Sequence, residues 1–243
     1  MQNILVLGGT IEATRLVAEL ARAGLPATLS YAGRVDRPKP QPVPVRVGGF
    51  GGADGLAQYL RTHHITHLVD ATHPFAATIS TNAMRAARLA GTPLLALTRP
   101  AWIAGDGDLW THVADIPAAV AALNVPRRTI MLALGRMHLH AFAARPAHRY
   151  LLRLVDPPQT PPPLPDHHII IDRGPFDVTS DKGLMQAHGI DLVVSKNAGG
   201  TGAQAKLIAA RQLQIPVLMI DRPALPDRAQ THDIASVLDW VRT

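Results

Sequence analysis

The stretch from Ile4 to Tyr31 restricts the fold more than any other. Ile4-Leu5-Val6-Leu7 is a short apolar run, Gly8-Gly9-Thr10 follows, and Ile11, Leu16, Val17 and Leu20 recur at helical spacing up to Gly24. Ala27 to Tyr31 then reads as a second strand. A buried strand, a glycine turn, an amphipathic helix and another strand make the β-loop-α-β unit of a parallel sheet with helices on its faces.

The pattern continues along the chain. Strands are expected at Val43 to Val47, His67 to Ala71 and Pro93 to Leu97, with helices at Leu56 to Arg61 and Phe75 to Ala90. The second half repeats the theme, with strands at Ile130 to Leu134, Tyr150 to Val155, His168 to Ile171, Leu192 to Ser195 and Val217 to Ile220. Helices are expected at Ala203 to Leu213 and Ile234 to Val241. Alternate prolines from Pro38 to Pro44 predict an extended or edge segment, and the proline-rich stretch Pro157 to Pro165 a stiff loop. The halves resemble each other: His64 with Leu68-Val69 matches His188 with Leu192-Val193, and Arg99-Pro100-Ala101 matches Arg222-Pro223-Ala224. These features predict two α/β domains with mainly parallel sheets, residues 1–125 and 126–243, the boundary falling near 123–128. Ligands bind beyond the carboxyl ends of such strands, so an inter-domain cleft is the expected site.

Charge narrows the ligand. The 243 residues carry 24 Lys and Arg against 18 Asp and Glu, a net charge of +6. Basic blocks are missing, lysine is scarce, and aromatic residues are only 4%. A polyanionic small molecule therefore fits better than nucleic acid, which needs basic patches and stacking aromatics. The chain has no Cys, which excludes disulfides, thiolate metal sites and a cysteine nucleophile and suits a cytoplasmic location. No apolar run reaches the ~18 residues of a membrane span, so no membrane contact is expected. Met1 to Gly9 does not resemble a signal peptide.

Gly8-Gly9-Thr10 brings a helix N-terminus and backbone N–H groups to a strand end, where a pyrophosphate would sit. The plainer alternative is a βα turn with Thr10 as N-cap. The second strand ends Ser30-Tyr31-Ala32-Gly33-Arg34, with no carboxylate at its tip. Ser30 lies about twenty residues past Gly9, where NAD sites place an acidic residue and NADP sites avoid one. Ser30 and Arg34 can instead hold a 2′-phosphate, which favours NADP. Asp70-Ala71-Thr72-His73-Pro74-Phe75 also ends a strand and opens a helix. There Thr72 and His73 face a ligand or merely cap the helix, and Asp70 is a hydrogen-bonded structural residue. Ser195-Lys196-Asn197-Ala198-Gly199-Gly200-Thr201-Gly202 stands at the equivalent place in the second half, and Gly135-Arg136 adds another strand-end cation. His63-His64-x-x-His67 straddles a helix end and a strand start with no carboxylate nearby, so no metal site is expected. Nucleophile-elbow, Walker and zincin motifs are missing, which lowers hydrolase and phosphoryl-transfer readings.

Taken in order, Gly8-Gly9-Thr10-x-Glu12-Ala13, Ser30-x-Ala32-Gly33-Arg34, Asp70-Ala71-Thr72-His73-Pro74-Phe75-Ala76, Leu134-Gly135-Arg136, Arg173-Gly174-Pro175-Phe176, Lys196-Asn197-x-Gly199-Gly200 and Arg222-Pro223 resemble the precorrin-6x reductase family of cobalamin biosynthesis almost end to end. The resemblance implies two Rossmann-like domains and NADPH as cofactor. It implies an oxidoreductase acting on a CH–CH group, with hydride transfer to one double bond of precorrin-6A to give precorrin-6B. The partner is then a polycarboxylate tetrapyrrole, cobalt-free or cobalt-bearing, and a monomer is expected. On this reading Gly8, Gly9 and Thr10 hold the pyrophosphate, and Ser30 and Arg34 the 2′-phosphate. Thr72 and His73 lie near nicotinamide or substrate, while Arg136, Lys196, Asn197 and Gly200 face substrate carboxylates. His73 and Lys196 are the candidate proton donors. Two alternatives are another NADP-dependent enzyme, disfavoured because no Tyr-x-x-x-Lys is present, and a non-catalytic NADP sensor.

Overall fold

A computed structural model describes residues 2–32, 40–172, 174 and 176–243. The strands are β1 (Ile4–Leu7), β2 (Ala27–Tyr31), β3 (Val45–Val47), β4 (His67–Asp70), β5 (Leu94–Leu97), β6 (Trp110–Val113), β7 (Thr129–Ala133), β8 (Arg149–Leu154), β9 (His167–Ile171), β10 (Leu192–Lys196), β11 (Val217–Ile220) and β12 (Gln230–Thr231). The helices are α1 (Ile11–Arg22), α2 (Gly52–Thr62), α3 (Ala77–Ala90), α4 (Ile116–Ala122), α5 (Val178–Ala187), α6 (Ala205–Gln212) and α7 (Ile234–Trp240), with a 3₁₀ helix at Arg136–Ala144.

The strands form two six-stranded sheets, ordered β12-β5-β4-β1-β2-β3 and β6-β11-β10-β7-β8-β9, with every described pairing parallel. Each has the order 3-2-1-4-5-6 of a Rossmann-like sheet, except that the sixth strand comes from the other half of the chain. After Arg99-Pro100 the chain adds β6 and α4 to the second sheet, and after Arg222-Pro223 it adds β12 and α7 to the first. Unit 1 is accordingly residues 1–100 and 224–243, and unit 2 residues 101–223. The boundary expected near 125 is corrected on this point: β6 and α4 precede it in sequence but pair within unit 2.

Alternation within β1 explains why its run is apolar throughout. Ile4 and Val6 pack against α1 and α7, while Leu5 and Leu7 pack on the opposite face against α2 and α3. A strand covered on both faces has no position for a polar side chain. Several helices start at oxygen-bearing caps: Thr10, Asp115, Asp177 and Asp233 accept the N–H of Ala13, Ala118, Ser180 and Ser236. Gly24, with φ of +67°, follows α1 as the expected stop. The third strand is shorter than expected, because Pro44 has no N–H to donate on this edge of the sheet and contributes only its carbonyl, which accepts from Leu29 N at 2.9 Å.

Candidate functional site

In unit 1 the carboxyl ends of β1, β2 and β4 carry the expected site residues. Gly8 continues the ladder by donating to Ser30 O at 2.9 Å. A Cβ on Gly8 would stand 2.6 Å from Leu29 Cδ1, so the position admits a residue larger than glycine only if Leu29 moves. Gly9 adopts φ of +114°, which side-chain-bearing residues avoid, and a Cβ there would meet nothing within 4 Å. Among the described residues, the space that a side chain at Gly9 would enter is therefore open.

Thr10 behaves as the plainer alternative describes. Its hydroxyl accepts from Ala13 N at 3.1 Å and donates to Ala71 O at 2.7 Å, so the hydroxyl proton expected for a pyrophosphate is already engaged. The first-turn N–H groups of Ile11 and Glu12 have no acceptor within the helix and remain for an anion. Glu12 would oppose one, but its carboxylate is paired with Arg99 Nη1 at 3.1 and 3.2 Å. Arg99 is thus a site residue that sequence reasoning saw only as a repeat marker.

Ser30 lies at the end of β2, only 4% exposed, in register with Leu7 on one side and Arg46 on the other. Arg46 Nη1 approaches its hydroxyl at 3.4 Å. Arg34 lies outside the described residues. At the end of β4, Asp70 is buried and acts structurally: Oδ1 accepts from Thr72 N at 3.1 Å and from Thr72 Oγ1 at 2.7 Å, and Oδ2 pairs with Arg228. Thr72 is thus fixed by Asp70, with Ser80 Oγ 3.3 Å away. His73 Nδ1 accepts from Phe75 N at 3.2 Å, which assigns the proton of the neutral ring to Nε2. Arg228 comes from the returning C-terminal segment, and no local pattern linked it to Asp70.

The equivalent rim of unit 2 follows β10. Lys196 is the last strand residue and is half-buried. Asn197 has a role beyond the expected one. It is 5% exposed, its Oδ1 accepts from Trp102 N at 2.7 Å and its Nδ2 donates to Trp102 O at 2.9 Å. Both ends of the amide engage the backbone of Trp102, which gives this side chain a structural role besides the substrate contact expected of it. Trp102 Nε1 also donates to Gly200 O at 2.8 Å, Arg222 Nε donates to Asn197 O at 2.9 Å, and Lys206 Nζ sits 4.9 Å from the Trp102 ring. Gly199 and Gly200 take φ of +70° and +75° within this clamped loop. Arg136 is exposed at the start of the 3₁₀ helix, after Gly135 with φ of +72°. The structure thus brings Gly8, Gly9, Thr10, Ser30, Thr72 and His73 to one rim, and Lys196, Asn197 and Gly200 to another.

His63, His64 and His67 diverge. His63 caps α2 and stacks on Tyr59 with centroids 3.9 Å apart, His64 takes φ of +50°, and His67 opens β4 edge-on to Trp240. Burial pushes the His67 pKa down. Among the described residues, no group of three or more His, Asp or Glu gathers to hold a metal ion.

Comparison with known proteins agrees with these features. The profile of the family described as Precorrin-6x reductase CbiJ/CobK matches residues 3–242. The precorrin-6A reductase of Rhodobacter capsulatus is 52% identical over 241 residues, covering 99% of this chain and 96% of that protein. That of Mycobacterium tuberculosis H37Rv is 40% identical over 226 residues, 93% and 91% of the two chains. The cobalt-precorrin-6A reductase of Priestia megaterium is 29% identical over 235 residues, 91% of each. A solved structure of CobK precorrin-6A reductase superposes with a TM-score of 0.95 at 52% identity, over 100% of this chain and 96% of that one. With the fold, the strand order and nearly the full length in agreement, the chain belongs to the precorrin-6x reductase family.

Proposed function

We propose that this chain reduces one double bond of precorrin-6A, with NADPH as hydride donor, to give precorrin-6B in cobalamin biosynthesis. The observation that carries the cofactor reading is the open turn at Gly9, set over the unengaged first-turn N–H groups of α1. Pairing of Glu12 with Arg99 offsets a first-turn charge that would repel a pyrophosphate. The tip of β2 carries no carboxylate to exclude a 2′-phosphate. NADPH, when bound, supplies the hydride.

The chain's own residues bind, orient and protonate. Gly8 and Gly9 allow close approach of the backbone, while Thr10 holds the turn by its bond to Ala71 O. Ser30 and Arg34 belong to the 2′-phosphate site. Asp70 fixes Thr72 beside His73, whose Nε2–H points a hydrogen-bond donor at a ligand; to give up a proton the ring must first be protonated at Nδ1, releasing the bond from Phe75 N, and it then returns to the neutral form. Arg136 and Lys196 provide cations for the carboxylates of a tetrapyrrole, and the clamp on Trp102 fixes the Gly200 backbone. His73 and Lys196 are the two groups we assign to protonation of the carbon beside the hydride acceptor. Identity to the precorrin-6A reductases, at 52% and 40%, exceeds the 29% to a cobalt-precorrin-6A reductase and favours the metal-free substrate. We take the enzyme to be a cytoplasmic monomer. Among the described residues, no helix is long and apolar enough to cross a membrane.

The test is precorrin-6A-dependent oxidation of NADPH by wild type, His73→Ala and Lys196→Ala at saturating substrates. Positioned general acids contribute about 10²–10⁴-fold, so at least one variant should lose turnover on that scale. Full turnover in both would remove the proton-donor assignment, and no turnover by wild type would remove the activity.

A further inference from the structure

The parallel register puts a second cation at the β2 tip that neither the family pattern nor the sequence reading singled out. Arg46 lies on β3 opposite Ser30, and Ser30 lies opposite Leu7, the residue before the Gly8-Gly9 turn. Arg46 is therefore on the same rim as the turn, two strands away, about 10 Å at the usual strand spacing. Its guanidinium is held in place: Nη1 donates to Gly48 O at 2.5 Å and reaches Ser30 Oγ at 3.4 Å, and Nη2 donates to Gly49 O at 2.7 Å. One face is covered by Phe50, 3.7 Å from the ring centroid.

The surroundings form a built recess. A cavity of about 290 Å³ opens between the turn that follows β3 and helix α2, lined among others by Arg46, Phe50, Gln58, Tyr59 and His63. Phe50 meets Tyr59 edge-on at 5.2 Å, and Tyr59 stacks on His63. Gly55 allows this arrangement, because a Cβ there would stand 1.8 Å from Phe50 O. A guanidinium has five donors in a planar fork, and the three bonds above leave two of them unengaged among the described residues. Such a fork suits a phosphomonoester.

We propose that Arg46 receives the 2′-phosphate of NADP, with the adjoining cavity taking the ribose that bears it. The proposal rests on the NADP reading above and adds the residue that sets the preference over NAD. Ser30, assigned above to the same phosphate, also positions Arg46 through its hydroxyl.

The experiment is calorimetric titration of the full chain with NADPH, NADH, adenosine 2′,5′-bisphosphate and 5′-AMP, for wild type, Arg46→Gln and Arg46→Lys. Loss of a charge-assisted contact predicts about ten- to a hundred-fold weaker binding of NADPH and the bisphosphate to Arg46→Gln, with NADH and AMP within about two-fold of wild type. Arg46→Lys should recover part of the loss, since it restores the charge without the fork. Equal weakening of all four ligands would make Arg46 a loop staple only and overturn the proposal, as would unchanged NADPH binding. Wild type that does not prefer NADPH to NADH would overturn the NADP reading itself, and with it this assignment.

Discussion

At the residue scale, Asn197 and Thr10 show how a strand-end polar side chain is claimed by its own fold. Each looks available in sequence, and each hydrogen-bonds the backbone of a segment remote in the chain, Trp102 and Ala71 respectively. Asn197→Ala would leave the Trp102 N–H and C=O without partners in a buried setting and destabilise unit 2 by about 2–6 kcal/mol, at roughly 1–3 kcal/mol per unmet group. Urea unfolding checks this, and Asn197→Asp, which keeps the acceptor, should fall between. An unchanged midpoint in the alanine variant would show that water serves as well. The role of Asn197 was not legible because its partner is far along the chain, and no local spacing encodes it. Asp70 was legible as structural, since an acid inside an apolar strand needs partners wherever they come from.

At the element scale, the strands buried on both faces were read within a residue or two, since burial leaves a continuous apolar run. The elements missed have no such run. Helix α5 buries only Asp181 and Met185, and β12 is the two polar residues Gln230–Thr231. The edge strands carry only a faint shared signal, Thr111-His112 three residues before the Asp115 cap and Thr231-His232 directly before the Asp233 cap. The two histidines take different places: His112 lies within β6 with Nδ1 at 2.6 Å from Asp221 Oδ1, whereas His232 follows β12 with Nδ1 at 3.0 Å from Thr98 O. The helix caps yield a pH prediction. Hydrogen bonds from Ser180 and Ser236 hold the Asp177 and Asp233 carboxyls below the usual carboxylate range. A lowered folded value means the stabilisation is present above the unfolded pKa of about 3.9 and lost as pH falls through the folded one. Amide protection at the starts of α5 and α7, taken relative to the intrinsic exchange rate at each pH, should therefore fall below about pH 4. Asp233→Asn, which caps without titrating, should abolish the change at α7. Persistence of the acid response in that variant would place its origin elsewhere.

At the scale of the whole molecule, the doubled α/β plan was legible from the repeat, whereas the exchange of sixth strands was not, because identical orders of elements serve exchanged and unexchanged connections. The two can be told apart by dissection. Residues 1–125 end beyond β6 and lack β12 and α7, so β5 becomes an open edge and α1 loses Val237 and Val241. That fragment should fail to unfold cooperatively. Residues 1–100 joined by a flexible linker to 224–243 restore the sheet order of unit 1 and should give one sharp thermal transition. Cooperative folding of the 1–125 piece would show that the borrowed strand and helix are dispensable.

The exchange also sets a timetable for synthesis. Domains made on a ribosome ordinarily finish in the order they emerge. Here unit 2 can complete itself once Pro223 is out, while unit 1, begun first, waits for residues 224–243. Until then the nascent chain carries an unfinished sheet edge at β5 beside an uncovered face of α1. Residues 224–243, translated after all of unit 2, close the unit begun before it, so premature termination ahead of them would disable unit 1 rather than unit 2.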